Sequence, residues 1–307
     1  MGNICDCLAG KQNTAPNSCP DLMQIAKRLI IVPKYKADGT INELANVAAV
    51  TKAALQAKFD AADIDDRWFP LGEFVNVEDT KAESVFEEFT DKTKVRIDEG
   101  KRNFVGYVTN QGSIYLKKLK SWACQEFGVY IIDKNSNFVY ATDAATELKV
   151  KPIAVDQNSF EAILVKATDT TVEKIKIAFD FFHTELDEYL RYIASGDLDF
   201  NGLDTADVYG LYTVTGVGAS IGVAHTSMSM DMHTDYGLPV KNLLITDFAL
   251  YNTTTSLAVT IVTIAESPDG KYTFTFAAQS AGNVMRCTPT KAKFDFAAVV
   301  AVATTLT

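Results

Sequence analysis

The sequence predicts a mainly β protein: an α+β core built as a β-sandwich with a flanking helix, followed by a second, immunoglobulin-like β-sandwich. Two observations support this prediction. Apolar and polar residues alternate with the period of a strand along much of residues 21–195, and stretches with helical spacing interrupt them. Across residues 196–307 charge thins out, and short runs rich in Thr, Val, Ala and Gly recur about every 8–12 residues. The polar residues 1–20 are predicted to form an extended arm.

The composition argues against several classes of function. Of the 307 residues, 47% are hydrophobic, which is enough for two cores. The net charge of −10 argues against a surface that grips nucleic acid, because such a surface needs clustered Lys and Arg. No apolar run reaches the roughly 20 residues of a spanning helix, so we expect no membrane partner. The first residues lack the pattern of a secretory signal, which predicts folding in the cytoplasm.

Three helices are predicted within residues 21–195. Apolar residues fall at roughly helical spacing among alanines in residues 42–59. Residues 113–127 form one amphipathic helix, which Gly128 ends. A capping-box pattern opens a short helix over residues 184–196.

The strands of the first sandwich follow from alternation and from turn residues between the runs. Those predicted are 25–35, 71–89, 94–98, 104–108, 128–133, 138–140, two within 148–167, and 171–182. Together they form a sheet-rich core with a covering helix.

The second sandwich is predicted from strand number. Its candidate strands are 208–214, 220–227, 242–251, 258–265, 272–277, 284–290 and 298–304. Residues 267–270, Ser-Pro-Asp-Gly, predict a tight turn between two of them. The Cys…Trp…Cys signature of antibody domains is absent, so an immunoglobulin-like topology rests on the strand count alone.

One short motif suggests a metal site. Asp197, Asp199, Asn201 and the following glycine match the first half of a calcium-binding EF-hand loop, in which oxygens at alternate positions converge on one cation. The twelfth position should offer a bidentate Glu and is Val208 instead, although a nearby aspartate could substitute. The alternative is an ordinary polar turn.

Other residues that commonly carry chemistry have structural explanations. His225 and His233 bracket a methionine-rich run, which suggests copper or, more simply, a strand with Met in a core. His183 lies beside acids that capping explains. No phosphate-binding glycine loop, serine elbow or His-x-Glu metal motif is present in the sequence, so we expect a protein that is not an enzyme and has no cofactor apart from possible calcium.

The order of elements over residues 70–195 resembles the tube, or major tail, proteins of long-tailed bacteriophages. The stretches that carry the resemblance are 85–89, 94–104, 113–127, 128–133, 179–181 and 186–190. Phages of this kind often append an immunoglobulin-like domain to a virion protein, which would suit residues 197–307.

The resemblance implies a structural virion protein of the tail, folded in the host cytoplasm. Six copies would join their edge strands into a ring, and rings would stack into a hollow tube together with other tail proteins. Viral DNA would slide through an acidic lumen without binding, and candidates for that lining are the acids from Glu73 to Glu88 and Glu99. The arm 1–20 would lock one ring to the next, and the second sandwich would face outward.

Other functions remain open at this point. A capsid or head-decoration protein would also be acidic and without catalytic motifs. A surface- or glycan-binding module would use exposed aromatic rings on the second sandwich, for which Tyr209, Tyr212, Tyr236 and Tyr251 are candidates.

Overall fold

The computed structural model describes residues 23–98, 100–143, 146–182, 187–300 and 303–307, so the predicted arm 1–20 lies outside the described part. Strands account for 44% of the residues and helices for 11%, which confirms the mainly β fold class. The chain divides into two compact units, Met1–Gly210 and Leu211–Thr307.

The first unit contains the strands and helices that build its two sheets and their cover. In chain order they are β1 (Ala26–Pro33), a 3-10 turn (Val47–Ala49), α1 (Lys52–Phe59), β2 (Phe69–Pro70), β3 (Phe74–Lys81), β4 (Val85–Glu88), β5 (Lys94–Asp98), β6 (Arg102–Thr109), α2 (Ser113–Lys120), β7 (Phe127–Asp133), β8 (Phe138–Ala141), β9 (Ile153–Ala154), β10 (Glu161–Val165), β11 (Lys174–Asp180), a 3-10 turn (Asp187–Tyr189), β12 (Leu190–Ile193) and a 3-10 turn (Ser195–Asp197).

Two sheets face each other across the main core of this unit. The first has the order β12-β8-β7-β1-β2, with β9 also paired to β7, and the second has the order β10-β11-β6-β3. Alternation along β11 buries Ile175, Ile177 and Phe179, while Lys174 and Lys176 stay near the surface. Phe179 stacks on Phe104 of β6, with ring centroids 5.0 Å apart. The period-two pattern of the sequence therefore defines which face is the core.

The first sheet is covered on its other face as well. Trp68 packs on Tyr130 of β7 with ring centroids 4.9 Å apart, and Phe200 packs edge-on against Phe138 of β8. Every residue of β7 and β8 is buried. Strands that are covered on both faces, as in parallel sheets, have near-continuous apolar sequences. The sequences of β7 and β8 are apolar for this reason.

Arg28 of β1 connects this outer layer to the sheet. Its side chain is only 4% exposed. The guanidinium donates to the carbonyls of Leu71, Gly202 and Val208 at 3.3, 3.1 and 3.0 Å. Desolvation lowers the pKa of Arg28, and Glu73 opposes that shift. Arginine stays charged under all ordinary conditions, so the three carbonyls solvate a buried cation.

Residues 196–210 belong to the first unit. The sequence placed the domain boundary between residues 195 and 196, whereas the contacts place it after Gly210. The segment is held by Arg28, and Tyr209 donates a hydrogen bond to the carboxylate of Asp60 at 2.8 Å. A composition change at Gly196 therefore marks a change of layer within one unit.

The predicted helix 42–59 is wrong in its first half. Asn46 caps the 3-10 turn by accepting from the Ala49 amide, and Thr51 caps α1 by accepting from the Ala54 amide. Leu44 instead forms a β-bridge with Val150. Two consecutive N-caps compete with a continuous helix, and the alanine-rich pattern does not reveal this competition.

The other two predicted helices are also shorter or absent. The helix 113–127 ends at Lys120, and Phe127 and Gly128 begin the buried strand β7. Of the predicted helix 184–196, residues 184–186 lie outside the described part, and Leu190–Ile193 is the strand β12, paired with β8. In both cases residues whose spacing also suits a helix form a paired strand instead.

The second unit contains the remaining strands and one short helix. They are β13 (Tyr212–Ser220), β14 (Ser227–Thr234), a 3-10 turn (Ile245–Asp247), β15 (Phe248–Asn252), β16 (Leu257–Val259), β17 (Ile261–Glu266), β18 (Lys271–Phe276), β19 (Val284–Pro289), β20 (Phe294–Asp295), α3 (Ala297–Val300) and β21 (Ala303–Thr305).

These strands have the distribution of an immunoglobulin-like sandwich. One sheet has the order β17-β18-β14-β13-β20 and the other β16-β15-β19-β21. In the first of these sheets β14 lies between β13 and β18 of the β17–β18 hairpin, and β20 adds to the other side of β13. The remaining strands form the opposite sheet, as in the immunoglobulin-like arrangement. Met228, Met230 and Met232 alternate along β14 and are fully buried, so they fill the core between the sheets.

Two predicted strands of this unit are wrong. Residues 221–226 turn between β13 and β14, where positive φ angles at Gly222 and His225 reverse the chain. The region 298–304 begins with α3 and only ends as a strand. The turn predicted at residues 267–270 lies between β17 and β18, as expected.

We expect Arg28→Met to lower the free energy of unfolding of the first unit by about 3 kcal/mol, because it leaves three buried carbonyls without their charged donor. Urea unfolding followed by tryptophan fluorescence measures this, since both tryptophans, Trp68 and Trp122, lie in the first unit. The exposed Lys101→Met should change stability by less than about 0.5 kcal/mol. Equal losses in the two variants would contradict this assignment.

Cys287 provides an independent probe of the second unit. Burial raises the pKa of its thiol to about 12, so a variant that retains only Cys287 should react with a disulfide reagent at pH 8 no faster than the unit unfolds. A matched variant that retains only the exposed Cys124 should react at once. Rapid labelling of Cys287 in folded protein would show that the core is open.

Candidate interaction surface

A hairpin formed by β4 and β5 joins β3 to β6. At its root the Ala82 amide donates to the Lys101 carbonyl at 2.9 Å. Gly100 has a φ of +80°, and a Cβ there would lie 2.2 Å from the Ala82 carbonyl oxygen. The close approach of the two strands at the root therefore requires glycine.

The tip of the hairpin is closed by local hydrogen bonds. The Phe89 amide donates to the Thr93 carbonyl, and the Lys92 amide donates to the Phe89 carbonyl. Asp91 accepts hydrogen bonds from Thr93, and these bonds lower the pKa of the Asp91 carboxyl. Lys92 adopts a φ of 67°. Polar turn chemistry thus fixes the tip without help from the sandwich.

The hairpin is apolar and exposed at the same time. Every residue from 85 to 95 is exposed. Its large apolar side chains are Val85 (53% exposed), Phe86 (57%), Phe89 (48%), Val95 (49%) and Ile97 (64%). A two-stranded hairpin is marginally stable alone, and soluble monomers rarely expose clustered apolar groups. This cluster is therefore a candidate contact surface.

The apolar side chains lie on both faces of the hairpin. Phe86 pairs with Arg96 across the strands, and the next pair is Glu87 with Val95. Successive side chains of a strand point to opposite faces, so Phe86 and Val95 face opposite ways. A partner that covers both residues must contact both faces of the hairpin. The sequence indicated a strand at 94–98 but gave no sign that it stands apart from a core.

The second sheet of the first unit has one blunted edge and one regular edge. On β3 the pairing with β6 shifts between Val75 and Glu78, and Asn76 has a φ of 50°. Such bulges discourage further strand pairing. On β10 the pairing with β11 is regular throughout, and Ile163 is 41% exposed. β10 is the last strand of this sheet, and α2 packs against it.

The acidic residues proposed for a lumen lie on the surface. Glu73 pairs with Lys27 at 3.3 Å, and Glu88 pairs with Lys94 at 3.1 Å. Glu78, Glu83 and Glu87 are exposed. Glu99 lies outside the described residues. A cavity of about 530 Å³ lies near the root of β4. Its lining includes two ion pairs, Arg102–Asp79 and Lys81–Asp187.

The candidate calcium ligands take part in hydrogen bonds within the protein. Asp199 accepts from the Lys52 amide at 2.6 Å. The side-chain oxygen of Asn201 accepts from Ser136 and from the Leu203 amide. Asp197 is exposed in a short 3-10 turn. Among the residues that the structure describes, no three Asp, Glu, His or Cys side chains are grouped closely enough to hold a metal. This geometry fits a polar turn that ties residues 197–207 to α1.

Two of the four candidate glycan-binding tyrosines are already engaged. Tyr209 is buried and bonded to Asp60, and Tyr251 lies under the guanidinium of Arg286 at 5.6 Å. Tyr212 is 46% exposed, and its ring centroid lies 6.3 Å from that of Tyr236.

The histidines show no catalytic arrangement in the described residues. His233 lies 3.3 Å from the carboxylate of Asp231 on the sheet surface. The methionines between His225 and His233 are fully buried in the core. His183 lies outside the described residues. The strand explanation of the methionine-rich run is confirmed.

Comparisons with known proteins do not assign the chain. No protein-family model matches the sequence, and no curated protein matches it either. Within the described residues, no helix is long and apolar enough to cross a membrane.

We expect Asp199→Ala to lower the stability of the first unit by about 1 kcal/mol, because the first amide of α1 loses its acceptor. Asp197→Ala, the matched change at an exposed position, should have an effect below about 0.5 kcal/mol. Millimolar calcium should leave the unfolding midpoint of the wild type unchanged. A calcium-dependent rise that Asp199→Ala abolishes would instead show that the loop binds the cation.

Proposed function

We propose that this chain is the tail tube subunit of a long-tailed bacteriophage, a structural virion protein that assembles into stacked rings around a DNA-conducting channel. The observation that carries the proposal is the β4–β5 hairpin, whose apolar side chains are exposed on both faces. Soluble monomers rarely expose apolar groups in this way, and such surfaces commonly mark contacts between proteins.

The two sheets of the first unit support ring formation. Both end in edge strands, and the edge at β10 is regular. In a ring each edge pairs with the neighbouring copy, so that none stays open. Six copies is the number that the resemblance of residues 70–195 implies.

The charge of the chain supports passage of DNA without capture. The net charge is −10, and the acids between Glu73 and Glu88 are on the surface. A channel lined by carboxylates repels phosphate, so the genome would move without binding. A capsid or head-decoration protein would also have an acidic surface. The shape of the assembly distinguishes such a protein from a tube subunit.

Electron microscopy of the purified protein, with sedimentation on the same sample, tests the proposal. We expect rings or tubes with a central channel and a mass that is a multiple of 33.6 kDa. Closed shells or flat arrays would favour a head protein. A monomer at every concentration would contradict assembly of the chain by itself.

We expect Phe86→Ser/Ile97→Ser to raise the concentration needed for assembly at least tenfold, because each apolar side chain contributes about 1.5–3 kcal/mol when it becomes buried. Sedimentation across a dilution series measures this concentration. Leu257→Ser is the matched control, since Leu257 is equally exposed, at 64%, in the second unit. Equal effects of the hairpin and control variants would rule out the hairpin as an assembly contact.

A further inference from the structure

The hairpin and the helix α2 lie at opposite ends of β6. The hairpin leads into Arg102, the first residue of β6, whereas α2 begins shortly after Thr109, the last. Seven steps of a strand separate these ends by about 23 Å. The β3–β6 pair thus carries one projection at one end and a helix at the other. Copies that join these two features can be arranged head to tail.

The exposed side of α2 is basic in an acidic chain. Lys117, Lys118 and Lys120 occupy three of the last four positions of the helix, while the chain as a whole has a net charge of −10. Lys117 and Lys120 are exposed. Ile114, near the start of the helix, is 39% exposed and adds an apolar contact. Leu119 is buried and anchors the helix to the unit.

The β4 side of the hairpin has the complementary properties. Glu83, Glu87 and Glu88 lie on or next to this strand and are exposed, and the strand contains no Lys or Arg. Glu88 is paired with Lys94 at 3.1 Å, whereas the cross-strand neighbour of Glu87 is Val95. The lysines of the hairpin lie on the turn and on β5. The acidic edge of β4 and the lysines of α2 are therefore opposite in charge. Both surfaces also present exposed apolar side chains.

We infer that α2 of one copy is the docking site for the β4 edge of the hairpin of a second copy. The inference rests on the proposed function, in which copies stack, and it names the two surfaces that meet. Because the surfaces differ, each copy keeps one of the two surfaces available after the first contact, so the contact can be passed from copy to copy along a stack. The apolar side chains supply affinity, and the charges fix direction and partner choice.

Charge reversal tests the contact directly. Lys117→Glu/Lys120→Glu and Glu83→Lys/Glu87→Lys should each raise the stacking concentration at least tenfold at low salt, because like charges then face each other. A protein with all four changes should stack like the wild type, since both surfaces are reversed. Molar salt, with a screening length of about 3 Å, should reduce the differences between these proteins.

Lys134→Glu/Lys149→Glu is the matched control, because it makes the same change of net charge at exposed lysines that lie on neither proposed surface. It should stack like the wild type. The fluorescence of Trp122, just after α2, reports whether each variant is folded.

The outcomes separate this inference from the proposed function. Wild-type tubes together with unimpaired stacking of Lys117→Glu/Lys120→Glu would overturn the docking site and leave the tube intact. If the protein with all four charge reversals does not recover stacking, the docking site would also be overturned. A wild type that forms no ring or tube would overturn both. Restored stacking in the four-fold variant, with the control unaffected, is the result that supports the inference.

Discussion

The buried guanidinium of Arg28 is the constraint on which the first unit depends. A cation that is 4% exposed needs full solvation by the protein, and three backbone carbonyls from distant positions provide it. Those carbonyls belong to segments before β3 and after β12, so Arg28 ties to the first sheet the outer layer that Trp68 and Phe200 also pack onto it. Without that layer, the outward faces of β7 and β8 would be exposed apolar surface.

Covering both faces of the first sheet limits where the unit can meet a partner. The strands β1, β7 and β8 lie inside three layers; every residue of β7 and β8 is buried, and so is every residue of β1 except Lys27 and Pro33. The second sheet contributes one face to the core, and none of the described residues covers the hairpin that continues it. In the proposed assembly, contacts between copies would therefore fall to the second sheet and to the hairpin. This division separates the part that maintains the fold from the part that is free to bind.

Local patterns in the sequence predicted the strands better than the helices. Alternation along β11 and the methionines of β14 require no distant partner to interpret, because the period of a strand fixes which residues face inward. The helix predictions failed where residues with helical spacing were also strand partners, as at Phe127, or where consecutive caps such as Thr51 divided the run. Propensity is a weak guide at such positions, since tertiary pairing decides between the two states.

By itself the sequence determined the fold class, the sandwich with immunoglobulin-like strand content and the acidic character of the surface, because these follow from composition and short-range periodicity. Only the tertiary structure decided how the oxygens of Asp199 and Asn201 are used, since their donors, the Lys52 amide and Ser136, come from far away in the chain. It likewise decided that Phe86 and Val95 are exposed. An apolar strand residue looks the same in sequence whether a core covers it or not, and burial depends on the elements that pack against it.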